Sequence, residues 1–230
     1  MSGKHSVEKI GGTSMAATAT LFDNVLIAGR KGADLYNRIF VVSAYAGMTD
    51  LLLEHKKSGK PGVYARFVAD DGADGWRDAI ETVRGAMHAR NADMFARAES
   101  LAEANAFVDA RIDAVAACLD DLARLRSHGR FCVKEQLITV RELLAGLGEA
   151  HSAFNSVLAL KHRGVNAKMV DLTGWHRDAP LPFEDMVRHS FAEVDLSREL
   201  VVATGYTHCS EGLMNTFDRG YSEITFAQIA

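Results

Sequence analysis

The sequence predicts an α/β fold: a mainly parallel sheet held between two layers of helices. Three observations predict it. Short apolar runs at Val7 to Ile10, Ile39 to Val42, Lys168 to Leu172 and Leu200 to Ala203 have strand length, and helical pattern separates each from the next. The first run empties into Gly11-Gly12, a turn suited to joining a strand to a helix. Of the 230 residues, 48% are apolar, enough for a sizeable core.

The first element ends in Lys9-Ile10-Gly11-Gly12-Thr13-Ser14, the most informative stretch of the chain. Glycine has no Cβ, so two in a row expose backbone N–H groups to an approaching anion. Thr13 or Ser14 is expected to cap a helix from about Met15 to Gly29, whose positive dipole end would face the same anion, and Lys9 adds a point charge. The same six residues also describe an ordinary strand-to-helix connection, so the turn needs its context.

The second strand runs into Ser43-Ala44-Tyr45-Ala46-Gly47-Met48-Thr49-Asp50, small and hydroxyl residues ahead of another helix. Beyond it lies a long helical region. Trp76, Ile80, Val83 and Met87, then Val108, Ile112, Val115, Leu119 and Leu122, recur near the helical period and predict helices over Trp76 to Arg90 and Phe107 to Leu125. Lys56-Lys57-Ser58-Gly59-Lys60-Pro61-Gly62 and Asp70-Asp71-Gly72-Ala73-Asp74-Gly75 read as loops. Gly148-Glu149 reads as a helix start, and Ser222 to Ala230 as the opening turns of a last helix.

Composition excludes several functions. A net charge of −4 with both signs interspersed does not make a nucleic-acid footprint. No segment approaches the roughly 20 apolar residues of a membrane span, and no export signal is read at the N-terminus. Cys118, Cys132 and Cys209 lie far apart, which fits a reducing cytoplasm, and the nine histidines form no metal-ligand spacing. His176-Arg177-Asp178 imitates a protein-kinase tripeptide without the other motifs of that class and reads as a loop; Trp76 and Trp175 read as core or interface residues.

Four segments in order, Lys9 to Ser14, Val42 to Thr49, Gly148 to Ser152 and Asn215 to Glu223, resemble the aspartate kinases of the amino-acid kinase family. That family carries Lys-Phe-Gly-Gly-Thr-Ser, Val-Ser-Ala-x-x-Gly-x-Thr, a Gly-Glu pair opening a helix, and Thr-Leu-Gly-Arg-Gly-Gly-Ser-Asp. The fourth segment departs: Phe217-Asp218 stand for Leu-Gly, Tyr221 for the second Gly and Glu223 for Asp. The run Cys209 to Glu223 is most similar to the subtype associated with ectoine synthesis.

The resemblance implies a three-layer α/β/α fold of the amino-acid and carbamate kinase type. Its sheet would be incomplete at the C-terminus and would carry a helical insertion at about 64–128. It implies ATP and Mg²⁺, L-aspartate as the acceptor, a homo-oligomer, and no nucleic acid or membrane. Lys9 is expected on the transferring phosphoryl, with Gly11, Gly12 and Thr13 at the ATP phosphates. Glu149 is expected at the substrate ammonium, Arg219 as a fork on a carboxylate, and Ser43, Thr49 and Ser222 as hydroxyl contacts.

Helix capping stays open as the alternative role for Glu149, Ser43, Thr49 and Ser222. Tyr221 is expected to resist a positive φ that glycine accepts, and the longer Glu223 must reach differently from aspartate. The chain is expected to be part of a longer kinase, or to be completed by another chain. Two alternatives stand beside this: a kinase of the same fold acting on another acid, and a binding or assembly module that does not turn over.

Overall fold

Four five- and four-residue strands, β1 (Ser6–Ile10), β2 (Arg38–Val42), β3 (Ala167–Val170) and β4 (Leu200–Thr204), form one parallel sheet in the order β1-β2-β4-β3. They fall on the four apolar runs. Both central strands are buried along their whole length, which is why they read as unbroken apolar runs instead of alternating ones. The computed structural model describes residues 5–69, 75–175, 179–216 and 220–230. The expected turn at Asp70 to Asp74, the His176-Arg177-Asp178 loop and Arg219 lie outside the described residues.

The chain divides into two compact units, Met1–Ala46 with Glu149–Ala230, and Gly47–Gly148. The first holds the sheet. Ile39, Val41, Val201 and Ala203 point to one face, where they pack with Met186, Val187 and Phe191 of α8 (Phe183–Ser190) and its surroundings and with Ile229 of α10 (Tyr221–Ile229); the short α9 (Leu213–Thr216) lies between those helices in the chain. Phe40, Val42 and Val202 alternate to the opposite face and are equally buried, so both faces are covered.

Two expectations about helices need correction. The predicted helix from Met15 to Gly29 is broken into α1 (Gly12–Ala16), α2 (Thr18–Leu21) and a π-helical turn, Phe22–Leu26. Its start is not capped by Thr13 or Ser14: Gly11 is the cap residue, with no side-chain cap bond, and both hydroxyl residues lie inside the helix. The reason is contact. A Cβ at Gly12 would stand 2.6 Å from the Ala44 carbonyl oxygen, and the Ala46 N–H donates to the Gly12 carbonyl at 3.2 Å, so the helix must open on glycine to lie against the end of β2. The π turn is held by Arg38 of β2, whose guanidinium donates to the carbonyls of Val25 at 2.8 Å and Leu26 at 2.7 Å.

The second correction concerns Gly148-Glu149, which does not open a helix. The pair sits inside α7 (Lys134–His162), 29 residues long. No proline interrupts that stretch, and its two glycines cost only about 1 kcal/mol each in a helix otherwise rich in leucine and alanine. A helix-dipole role for Glu149 is thereby removed.

The second unit is helical: α3 (Met48–Leu52), α4 (Val63–Ala69), α5 (Gly75–Met94), α6 (Ala98–Ser127) and the first part of α7. The segment at about 64–128 lies within it. Helices α5 and α6 extend past the predicted Trp76 to Arg90 and Phe107 to Leu125 because their buried stripes continue to Asn91 and back to Ser100. Trp76 is a core residue, edge-on to Phe67 at 5.8 Å. Arg84 ties the two helices by bonds to Asp109 at 2.8 Å and Asp113 at 2.7 Å.

Candidate active site

Because the strands are parallel, their carboxyl ends share one edge of the sheet, which is where ligands sit in open α/β sheets. Lys9 stands near the end of β1, Ser43 follows β2, and Gly205 follows β4. To this edge α10 brings Ser222 and Glu223 in its first turn, and α7 brings Glu149. Gly220 precedes α10 at φ +92, a left-handed conformation that suits glycine. Tyr221 is helical, so the positive φ falls one residue before it.

Lys9 Nζ donates to Glu223 Oε1 at 2.6 Å, across 214 residues of sequence. Burial alone would raise the Glu223 carboxyl, but the Lys9 contact together with a backbone N–H at the start of the helix outweighs it and holds the group below its ordinary range. The longer side chain in place of aspartate therefore reaches the lysine of the opening motif.

Ser222 Oγ donates to Glu149 Oε1 at 2.8 Å, and Ser43 Oγ donates to Ser222 Oγ at 3.2 Å. Ser222 caps nothing; its hydroxyl is spent on Glu149. Room for it comes from Gly205, where a Cβ would stand 2.6 Å from Ser222 Oγ and 2.8 Å from the Val42 carbonyl oxygen.

Glu149 is 3% exposed, and its Oε2 is buried with no hydrogen-bond partner among the described residues. Burial pushes its carboxyl up to about 8; the Ser222 hydroxyl, the nearby Tyr206 amide and the charge of Lys9 pull the other way and lose. A buried acid with one satisfied and one orphaned oxygen is prepared for a cationic hydrogen-bond donor.

Of the remaining expected residues, Gly11 and Gly12 lie at the edge beside Lys9, where a Cβ on Gly11 would come within 3.8 Å of Lys9 Nζ. Thr13 is exposed on α1. Thr49 lies in the first turn of α3, in the second unit. That unit has a pocket of about 490 Å³ of its own, lined by His55, Lys60 and Arg66 with Asp50 and Asp78. Sequence reading missed Gly205 and Ser152. Nothing in the sequence marks the first, whereas the second sits three residues after Glu149 and so on the same helical face.

The sheet and its helices have the amino-acid kinase fold. Solved structures of E. coli aspartokinase III share it. The complex with aspartate and ADP matches with a TM-score of 0.57 at 18% identity, over 90% of this chain and 42% of that one. The complex with lysine and aspartate matches at 0.58 and 16%, over 91% and 45%. In sequence, the chain is 62% identical over 226 residues to the aspartate kinase Ask_Ect of Stutzerimonas stutzeri, which covers 98% of this chain and 48% of that protein. The chain thus spans about half the length of the curated relative it matches. No family model matches it.

Proposed function

We propose that this chain carries the amino-acid-binding and phosphoryl-handling part of an ATP-dependent aspartate kinase. The reaction is transfer of the γ-phosphoryl of ATP to the β-carboxylate of L-aspartate, giving 4-phospho-L-aspartate at the head of aspartate-family or ectoine synthesis. One observation carries the reading: in a chain 62% identical to an aspartate kinase, the lysine of the opening motif and a buried glutamate with an open oxygen share one sheet edge.

A carboxylate is already a nucleophile, so positioning and neutralisation of oxygen charge do most of the work. Lys9 supplies a cation to the phosphoryl oxygens, and the opening amides of α1 at Gly12 and Thr13, which a helix does not itself use, add donors. Glu149 Oε2 receives the substrate ammonium and Ser43 and Ser222 line the same place; the resemblance implies a carboxylate contact for Arg219 and a hydroxyl contact for Thr49. If Mg²⁺ accompanies the nucleotide, as the resemblance implies, it would be held by the phosphate oxygens and would neutralise their charge.

We place the enzyme in the cytoplasm, on its cysteines, none of which is paired. No helix among the described residues is long and apolar enough to cross a membrane. Among the described residues β1 and β3 are the edge strands of the sheet, and assembly into a homo-oligomer is what the resemblance implies.

The test is hydroxylamine trapping of aspartyl phosphate from aspartate and Mg-ATP, with glutamate and carbamate as competing acceptors. Formation with aspartate, lost in Lys9→Ala, supports the reading. Aspartate binding by calorimetry without any turnover would favour a binding module instead.

A further inference from the structure

We propose that Ser152 is a positioning residue of the aspartate site: its hydroxyl fixes the spacing between the Ser43 backbone and the Glu149 backbone, and so sets where Glu149 meets the substrate ammonium. The inference rests on the reading of Glu149 as the ammonium site.

Ser152 is 0% exposed, and its Oγ lies 2.9 Å from the Ser43 carbonyl oxygen and 3.0 Å from the Glu149 carbonyl oxygen. A hydroxyl has one proton, so the two acceptors share it. A helical serine with a purely local role gives its proton to the preceding turn. Ser156 does that, donating to the Ser152 carbonyl at 2.8 Å. Ser152 differs in its second acceptor, which belongs to the end of β2, 109 residues away.

That bond closes a ring. Ser152 Oγ reaches Ser43 O, Ser43 Oγ reaches Ser222 Oγ, Ser222 Oγ reaches Glu149 Oε1, and Glu149 O returns to Ser152 Oγ. Three elements, the β2 end, α10 and α7, are thereby registered around one carboxylate. Opening the ring at Ser152 leaves every substrate contact chemically intact but frees the helix carrying Glu149 from the strand end carrying Ser43. The charges facing Glu149, Lys9 and Glu223, are untouched by this change.

The test compares Ser152→Ala and Ser152→Cys, the second nearly isosteric but a weak donor, with Ser156→Ala, in the whole protein. Both Ser152 variants should raise the KM for aspartate by roughly 3- to 10-fold, with kcat and the KM for ATP within about twofold of wild type. The inflection in the pH dependence of that KM should also move to lower pH, since a loosened Glu149 gains water. Ser156→Ala should change neither. A folded Ser152 variant with a wild-type aspartate KM and pH profile, or equal effects from Ser156→Ala, overturns the proposal. Absence of aspartate turnover in the wild-type protein overturns instead the function on which it rests.

Discussion

Glu223 holds Lys9. The 2.6 Å pair joins the first strand to the last helix, and it puts the acidic residue that departs from the family motif in direct contact with the lysine that matches it. Lys9 keeps 27% of its side-chain surface exposed and Glu223 59%, so the pair contributes little to stability, at most about 1 kcal/mol. Its consequence is orientation: if Lys9 serves a phosphate as proposed, Glu223 aims the cation beforehand.

Lys9→Ala should therefore lower kcat by roughly 10²- to 10³-fold, about 2.7–4 kcal/mol, while the KM for aspartate changes little. Glu223→Gln should leave the melting temperature nearly unchanged yet reduce kcat, because Lys9 loses its aim. Steady-state kinetics beside thermal melting separate the two effects. A Lys9→Ala enzyme with near-normal kcat would return the lysine to a structural role.

Aspartate binding should release a proton. Burial keeps Glu149 protonated up to about pH 8, and the proposed ammonium contact requires the ionised form. Affinity should therefore rise with pH and level off near 8. Titration calorimetry at pH 7 in buffers of different ionisation heat should show proton release approaching one per aspartate, and Glu149→Gln should abolish it.

The same shift acts on stability, with the sign fixed by its direction. The folded-state value lies above the unfolded one, so this contribution is fully present below the unfolded value and is lost as pH rises through about 8. Denaturant melts of the ligand-free protein from pH 5 to 9 should show that decline, and Glu149→Gln should flatten it.

Gly205→Ala should injure site and fold together. Its Cβ would meet a backbone oxygen, Val42 O, as well as the Ser222 side chain, so the strand end has to shift. A loss of about 1–3 kcal/mol in denaturant unfolding is expected, with weakened aspartate binding. Unchanged melting and affinity would show that the strand end yields at no cost.

Arg219→Lys keeps the charge and loses the fork. If Arg219 binds a substrate carboxylate as its motif position implies, aspartate affinity should fall about tenfold or more, whereas a solvated arginine would tolerate the change. Calorimetry with aspartate decides between these.

The sequence by itself determined the sheet and the chemistry types. The two central apolar runs read as strands buried on both faces, and Lys9, Gly11, Gly12 and Glu149 stood out as candidates because anion and ammonium recognition call for such residue types. Tertiary structure alone decided the partners. Lys9 with Glu223, Ser43 with Ser222 and Glu149, and Gly205 beneath Ser222 meet across separations that no local pattern encodes. Local signals also misplaced two helix starts. A capping residue is favoured by only about 1 kcal/mol; here the first helix opens on Gly12 against Ala44 and α7 runs through Gly148 without a break. The physical reason is range: propensity and burial pattern act within a few residues, whereas the pKa of Glu149 and the aim of Lys9 follow from which distant elements the folded sheet brings to one edge.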